Sequence, residues 1–270
     1  MAAVASSGKL KGPALEPTRK ELLQPALDYY RTFVQSHAAD PQMLPERVAA
    51  QFHMAGLYVK LGSKDGVAAM SQGVGDLNLL KDTDLDPETF PSLQACALKM
   101  TSPIDWVMVK GVDQVYALSL MVALSRAIDT YQGLSQKYPQ VVSFRDDFSA
   151  LLKASAMLQA QLPARRQEAL ASWLRARDAL ETLVRDRPDN VDYQTRLAES
   201  LTTAARMQKS AGETDQAAAN LQRAVAVREQ MAEAHPDDKK LKQELTIVQR
   251  DLEKLKPPAA KDAAAATAPQ

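Results

Sequence analysis

Three stretches of this chain share one grammar: QKYPQVVSFRDDFSA from Gln136, RDRPDNVDYQTRLAES from Arg185 and EAHPDDKKLKQELT from Glu233. In each, an aromatic or leucine follows the proline by five residues, and an apolar residue lies four beyond that. Pro139, Pro188 and Pro236 are spaced 49 and 48 residues apart, and so are Phe144, Tyr193 and Leu241. Phe148, Leu197 and Leu245 keep the same intervals. Pro41 lies 98 residues before Pro139, twice the period, and DLDPETFPSLQ, with Pro87 and Pro91, supplies the turn expected between them. Self-similarity at such a period constrains the fold more than any other feature here, because it marks units that bury their apolar faces on one another.

The units are helical. Apolar residues recur at helical spacing in Phe144, Phe148, Leu151, Leu158 and Leu162, then in Leu170, Trp173, Leu180 and Leu183,. Tyr193, Leu197, Leu201 and Met207 continue the pattern, followed by Leu221, Ala224, Val227 and Met231. No run alternates strictly between turns, so the fold class is all-α. Pro163 suits the first turn of a helix,. Gly62 and Gly212 suit helix ends, with Ser63 and Thr214 placed to cap the next helix,. Each interval therefore holds two antiparallel helices. A lone first helix spans about 19–36, with Pro25 kinking or starting it. Pairs follow at about 45–80, 87–137, 141–186 and 190–234, and a last helix at about 237–255 has no partner. The second pair is the least regular, with Pro103 and Gly111 in its first helix. Residues 1–16 are a disordered segment by composition, 17–256 a single repeat domain and 257–270 an Ala/Pro tail,.

These residues resemble tetratricopeptide repeats. Gly212, Ala217, Leu221 and Ala224 match the family's small-bulky-small pattern around the turn, and Ala169, Trp173 and Ala176 match it one unit earlier. Pro188 and Pro236 match its closing proline but arrive late, since the units here are about 14 residues longer than the family's. ALDYYRTFVQSHAADP, GLYVKLG and LVRDRPDNVDYQTRLAES are also similar to the repeat region C-terminal to bacterial receptor-like serine/threonine kinases. No Gly-rich phosphate loop, HRD-type loop or DFG accompanies them,. The resemblance implies a right-handed solenoid of antiparallel helix pairs whose first helices line a concave, partner-holding face. On that face it places Glu199, Thr202, Arg206 and Lys209, with Phe52, Val59 and Lys60, and with Leu151, Leu158 and Gln161. The expectation is that Arg206 and Lys209 anchor an acidic group while the apolar positions take the partner's apolar side chains.

Composition narrows the function. Lys+Arg and Asp+Glu both number 33, so no positive excess points to nucleic acid or an acidic membrane,. The single cysteine, Cys96, cannot form an intrachain disulfide,. The N-terminus carries no signal-peptide core, and Asp105, Lys110 and Asp113 interrupt the most apolar stretch, so no membrane span is expected,. The chain as given reads as cytoplasmic; as a fragment of a membrane kinase it would be extracytoplasmic.

No residue set carries catalytic or metal chemistry. His37, His53 and His235 are not spaced for a metal,. DTDLDPE, from Asp82, alternates acids like a calcium loop but has Pro87 and Leu93 where glycine and glutamate are needed,. Cys96 sits in an apolar helical stretch without an adjacent base,. GVGDLN at Gly73 lacks the third glycine of a dinucleotide loop,. The arginines of 165–187, interleaved with Glu168, Asp178, Glu181 and Asp186, read as a solvated helix face,. No cofactor is expected. Leu241, Leu245, Val248, Leu252 and Leu255 form a short heptad seam, read either as a capping stripe or as a homodimer contact,. The expected function is a non-enzymatic protein–protein interaction scaffold binding a peptide or partner helix. The alternative is a sensory or regulatory repeat region of a bacterial serine/threonine kinase system, present without its kinase.

Overall fold

The computed structural model describes residues 16–81, 84 and 114–255. The disordered N-terminal segment, the Ala/Pro tail, Cys96 and nearly all of the irregular first helix of the second pair lie outside the described residues. Every regular element among the described residues is helical. In chain order they are α1 (Glu16–Ser36), α2 (Leu44–Lys60), α3 (Asp65–Lys81), α4 (Gln114–Lys137), α5 (Val142–Ala160), α6 (Arg166–Asp186), α7 (Val191–Ser210), α8 (Thr214–Ala234) and α9 (Lys239–Glu253). Short 3-10 turns at Pro41–Met43 and Pro163–Arg165 lead into α2 and α6. Pro25 lies inside α1 rather than at its start.

Two compact units divide within α6, between Ser172 and Trp173. In the first unit α2 packs on α1 and α3, α3 on α4, and α4 on α5. In the second, α8 packs on both α7 and α9.

The proline joints repeat bond for bond. The amides of Tyr138, Arg187 and His235 donate to the carbonyls of Leu134, Leu183 and Met231 at 2.9, 2.9 and 3.0 Å. The amides of Val141, Asn190 and Asp238 then donate back across the proline to the carbonyls of Tyr138, Arg187 and His235 at 3.0, 3.2 and 3.1 Å. Proline at the second position of such a turn has its φ already set. Leu134, Leu183 and Met231 are all fully buried, and Phe144, Tyr193 and Leu241 beyond the turn are buried too. The Asn190 side chain caps α7 by accepting from the Tyr193 amide at 3.0 Å, and the Asp238 side chain caps α9 from the Lys240 and Leu241 amides,. Arg145 and Gln194 each donate to the carbonyl of the proline six residues before, Pro139 and Pro188, at 2.8 and 2.7 Å.

Pro41 does not occupy the equivalent position. The same pair of bonds at the end of α1 runs from the His37 amide to the Phe33 carbonyl and from the Asp40 amide to the His37 carbonyl. Ala38 stands there in the proline's place, and Pro41 instead opens a 3-10 turn capped by Asp40. The 98-residue spacing is therefore not the structural register.

The turns from α2 to α3 and from α7 to α8 are closed by glycine. Gly62 and Gly212 have φ of 72° and 83°. The Ser63 and Glu213 amides reach back to the carbonyls of Tyr58 and Gln208, both at 2.9 Å, while the glycine amides bond Val59 and Lys209. This is the Schellman arrangement, in which the left-handed residue satisfies the last carbonyls of the helix. Ser63 caps α3 as expected, accepting from the Asp65 amide. Thr214 does not cap α8: it is already the first helical residue, and Glu213 precedes it without a side-chain cap bond.

α2 and α3 approach closely through Gly66 and Gly73, one heptad apart. A Cβ at Gly73 would lie 2.9 Å from Phe52 Cε1, and one at Gly66 would lie 3.1 Å from the Ala55 carbonyl oxygen. In the second unit α9 follows part of the α7 pattern. Leu241 and Val248 are buried where Tyr193 and Ser200 are buried in α7. Ala198, Leu201 and Ala205, buried in α7, are answered 48 residues on by Thr246, Gln249 and Glu253, all exposed.

Candidate functional site

The groove residues implied by the resemblance separate into interior and surface. Phe52 and Leu158 are 0% exposed, as is Leu151. Thr202 is also buried, and its hydroxyl donates to the Ala198 carbonyl at 2.7 Å. All four are interior, so Phe52, Leu151 and Leu158 offer no apolar strip at the surface. Lys60, Gln161, Arg206 and Lys209 are exposed, and Val59 and Glu199 are partly exposed. Arg206 is already engaged: its guanidinium donates to the Asp251 carboxylate of α9 at 3.1 Å. Val59 and Lys60 belong to the first unit, Glu199, Arg206 and Lys209 to the second.

Lys60 opens onto a cleft of about 370 Å³ in the first unit, lined by Lys20, Gln24, Leu27, Arg31, Tyr58, Lys60, Leu61, Ser63 and Asp65. Its wall on α1 is one helical stripe, since Lys20, Gln24, Leu27 and Arg31 step by four, three and four,. The opposite wall is the end of α2 and the turn into α3. Arg31 is fixed at two edges, donating to the Tyr58 hydroxyl at 3.0 Å and to Asp28 at 3.2 Å. The Tyr58 hydroxyl, and behind it Asp28 and Asp65, hold the guanidinium further above its already high range. The Ser63 hydroxyl donates to the Asp65 carboxylate at 2.9 Å, drawing that acid into the turn. Leu27 and Leu61 give the cleft an apolar component. The arrangement can bind an anion. It presents no paired acid and base, and no group of three metal-ligating side chains occurs among the described residues.

Beside it, α1 and α2 carry an aromatic cluster. Tyr30 stacks on His53 with centroids 4.9 Å apart, and Tyr29 meets Tyr30 edge-on. Burial, then Tyr29, raises the Tyr30 phenol above its ordinary range.

In the second unit a polar chain, buried at its centre, crosses three helices. Arg177 donates to Asn220 at 3.2 Å, Asn220 to Gln208 at 2.7 Å, and Gln208 to Gln216 at 3.2 Å. Arg177 belongs to the arginine run that the sequence assigns to a solvated face. It does pair with Asp178 and Glu181, but it also reaches inward to this chain. Arg228, nearly buried on α8, pairs with Glu244 of α9. With Leu241 and Val248 it holds the seam of α9 against α8 within the same chain. Leu245, Leu252 and Leu255 are half-buried, and Ile247 is exposed. The polar chain has no short sequence signature, because its members lie 8 to 43 residues apart.

No family model matches the chain, and no curated protein matches it. Among solved structures it is similar to the crystal structure of BtubC (BKLC) from P. vanneervenii, at 14% identity and a TM-score of 0.44. The match covers 94% of this chain and 99% of that one. A likeness of that depth carries no conclusion about family or function. No described helix is long and apolar enough to cross a membrane.

Proposed function

We propose that this chain is a non-enzymatic interaction scaffold of tandem helix hairpins that holds a peptide or partner helix on exposed helix faces. The observation that supports it is the joint. Two backbone bonds, one proline and flanking buried residues recur at 49 and 48 residues. A chain that repeats a joint in this way repeats the surface between joints, and arrays of this kind present extended binding faces. Lys209 and Glu199 on α7, and Val59 and Lys60 on α2, are the contact positions left at the surface. Arg206 contributes where a partner's acid displaces Asp251.

The test is affinity capture with the full purified chain. One retained protein is then titrated against wild type, Lys209→Glu and Lys60→Glu. Binding weakened at least about tenfold by one reversal supports the reading, since a lost charged contact is worth that much. Equal binding by all three chains, or no specific partner, defeats it.

A further inference from the structure

We propose that the cleft between α1 and the α2–α3 turn is a binding site for a phosphate monoester. This goes beyond the scaffold function and does not depend on it. The lining holds three cations, Lys20, Arg31 and Lys60, and one carboxylate, Asp65. Asp65 faces the Ser63 hydroxyl, and Asp28, outside the lining, takes one edge of Arg31. The cations therefore remain in excess, on two separate elements that converge on one space.

The donors are numerous and the acceptors few. A guanidinium has five N–H groups and an ammonium three. Only two edges of Arg31 are taken up by Asp28 and Tyr58. The Tyr58 oxygen accepts from Arg31, which leaves its own O–H to donate. The Gln24 amide adds further donors. A phosphate monoester offers three strong acceptor oxygens and a charge of about −1.5 to −2 at neutral pH. That suits two lysines and a fixed guanidinium better than the two oxygens and single charge of a carboxylate. The cleft, at about 370 Å³, is also larger than a phosphate needs. Leu27 and Leu61 would meet the group that carries it, either a phosphorylated side chain or a small phosphorylated molecule.

The experiment titrates the full chain with inorganic phosphate, O-phosphoserine, glycerol phosphate and a phosphoserine peptide, with glutamate as the carboxylate control. Calorimetry or backbone amide shifts give the affinities, and the Lys20→Gln/Lys60→Gln double variant is run in parallel. Both lysines are exposed, so the fold should survive, and circular dichroism checks it. If helix content is lost, the two single variants carry the comparison. The expected result is that the monoesters bind at least about tenfold more tightly than glutamate, and at least about tenfold more weakly to the variant. Shifts should centre on Arg31, Tyr58 and Lys60. A stronger peptide identifies a phosphorylated side chain as the source; stronger glycerol phosphate identifies a small molecule. Absence of binding by every phosphate probe overturns the site. So does undiminished binding to the variant, or glutamate binding as well as O-phosphoserine.

Discussion

Replacing Gly73 by alanine should destabilise the protein, while the same change at Gly75, two residues along the same helix, should stabilise it. Both positions lie well inside α3, so both gain about 0.8–1 kcal/mol from alanine's better helix propensity. They differ only in what the new methyl meets. At Gly75 nothing lies within 4 Å. At Gly73 the Cβ would fall 2.9 Å from Phe52 Cε1, and 3.2 Å from both Phe52 Cδ1 and Gln51 Cβ. Phe52 has no exposed surface into which its ring could swing. Forcing a methyl into such a contact costs about 1–3 kcal/mol. Gly73→Ala should therefore lose up to about 2 kcal/mol net, and Gly75→Ala should gain up to about 1 kcal/mol. The gap between the two variants isolates the packing cost, because propensity and unfolded-state terms nearly cancel. Urea unfolding followed by circular dichroism measures it, with slopes compared to confirm that the denatured states match. Equal stabilisation by both alanines would show that α2 and α3 do not approach through Gly73, and would refute the helix contact.

Gly212→Ala should cost about 1–2 kcal/mol through backbone strain alone, since φ is 83° and no atom lies within 4 Å,; Gly212→Asn should cost less, and thermal unfolding ranks the two. Asn220→Leu should cost about 1–3 kcal/mol by leaving Gln208 and Arg177 without their buried partner,; a double-mutant cycle with Gln208→Leu should reveal coupling. Arg206→Ala should cost under about 1 kcal/mol, because its bridge to Asp251 is 59% exposed on the arginine side,; urea midpoints check this.

The sequence makes the fold largely legible and the surface only partly so. The proline joints combine a fixed φ with a buried anchor, and those at Pro188 and Pro236 add a capping residue; each of these is a local signal. Gly62 and Gly212 announce their turns for the same reason. Pro41 misleads because a proline can open a 3-10 turn as well as a joint, and only the bonds at His37 and Asp40 distinguish the two. The groove positions fare worse. Phe52, Leu151, Leu158 and Thr202 lie on helices as expected, but burial depends on which neighbour each stripe meets. In units longer than the family's, that cannot be transferred by position. The cleft at Lys60 combines α1 with a turn about 30 residues away, and Arg177 joins α8 across 43 residues. No spacing rule reports contacts of that kind.

The central claim is that exposed charged positions on repeated helices hold a partner protein. Its most direct measurement is the affinity of one captured partner for the wild-type chain and for Lys209→Glu. Phe52→Leu, a core change, serves as a control that should leave the surface intact. The account predicts that the surface reversal weakens binding at least about tenfold while the core change leaves it unaltered. Binding that ignores Lys209 but falls with Phe52 would contradict it.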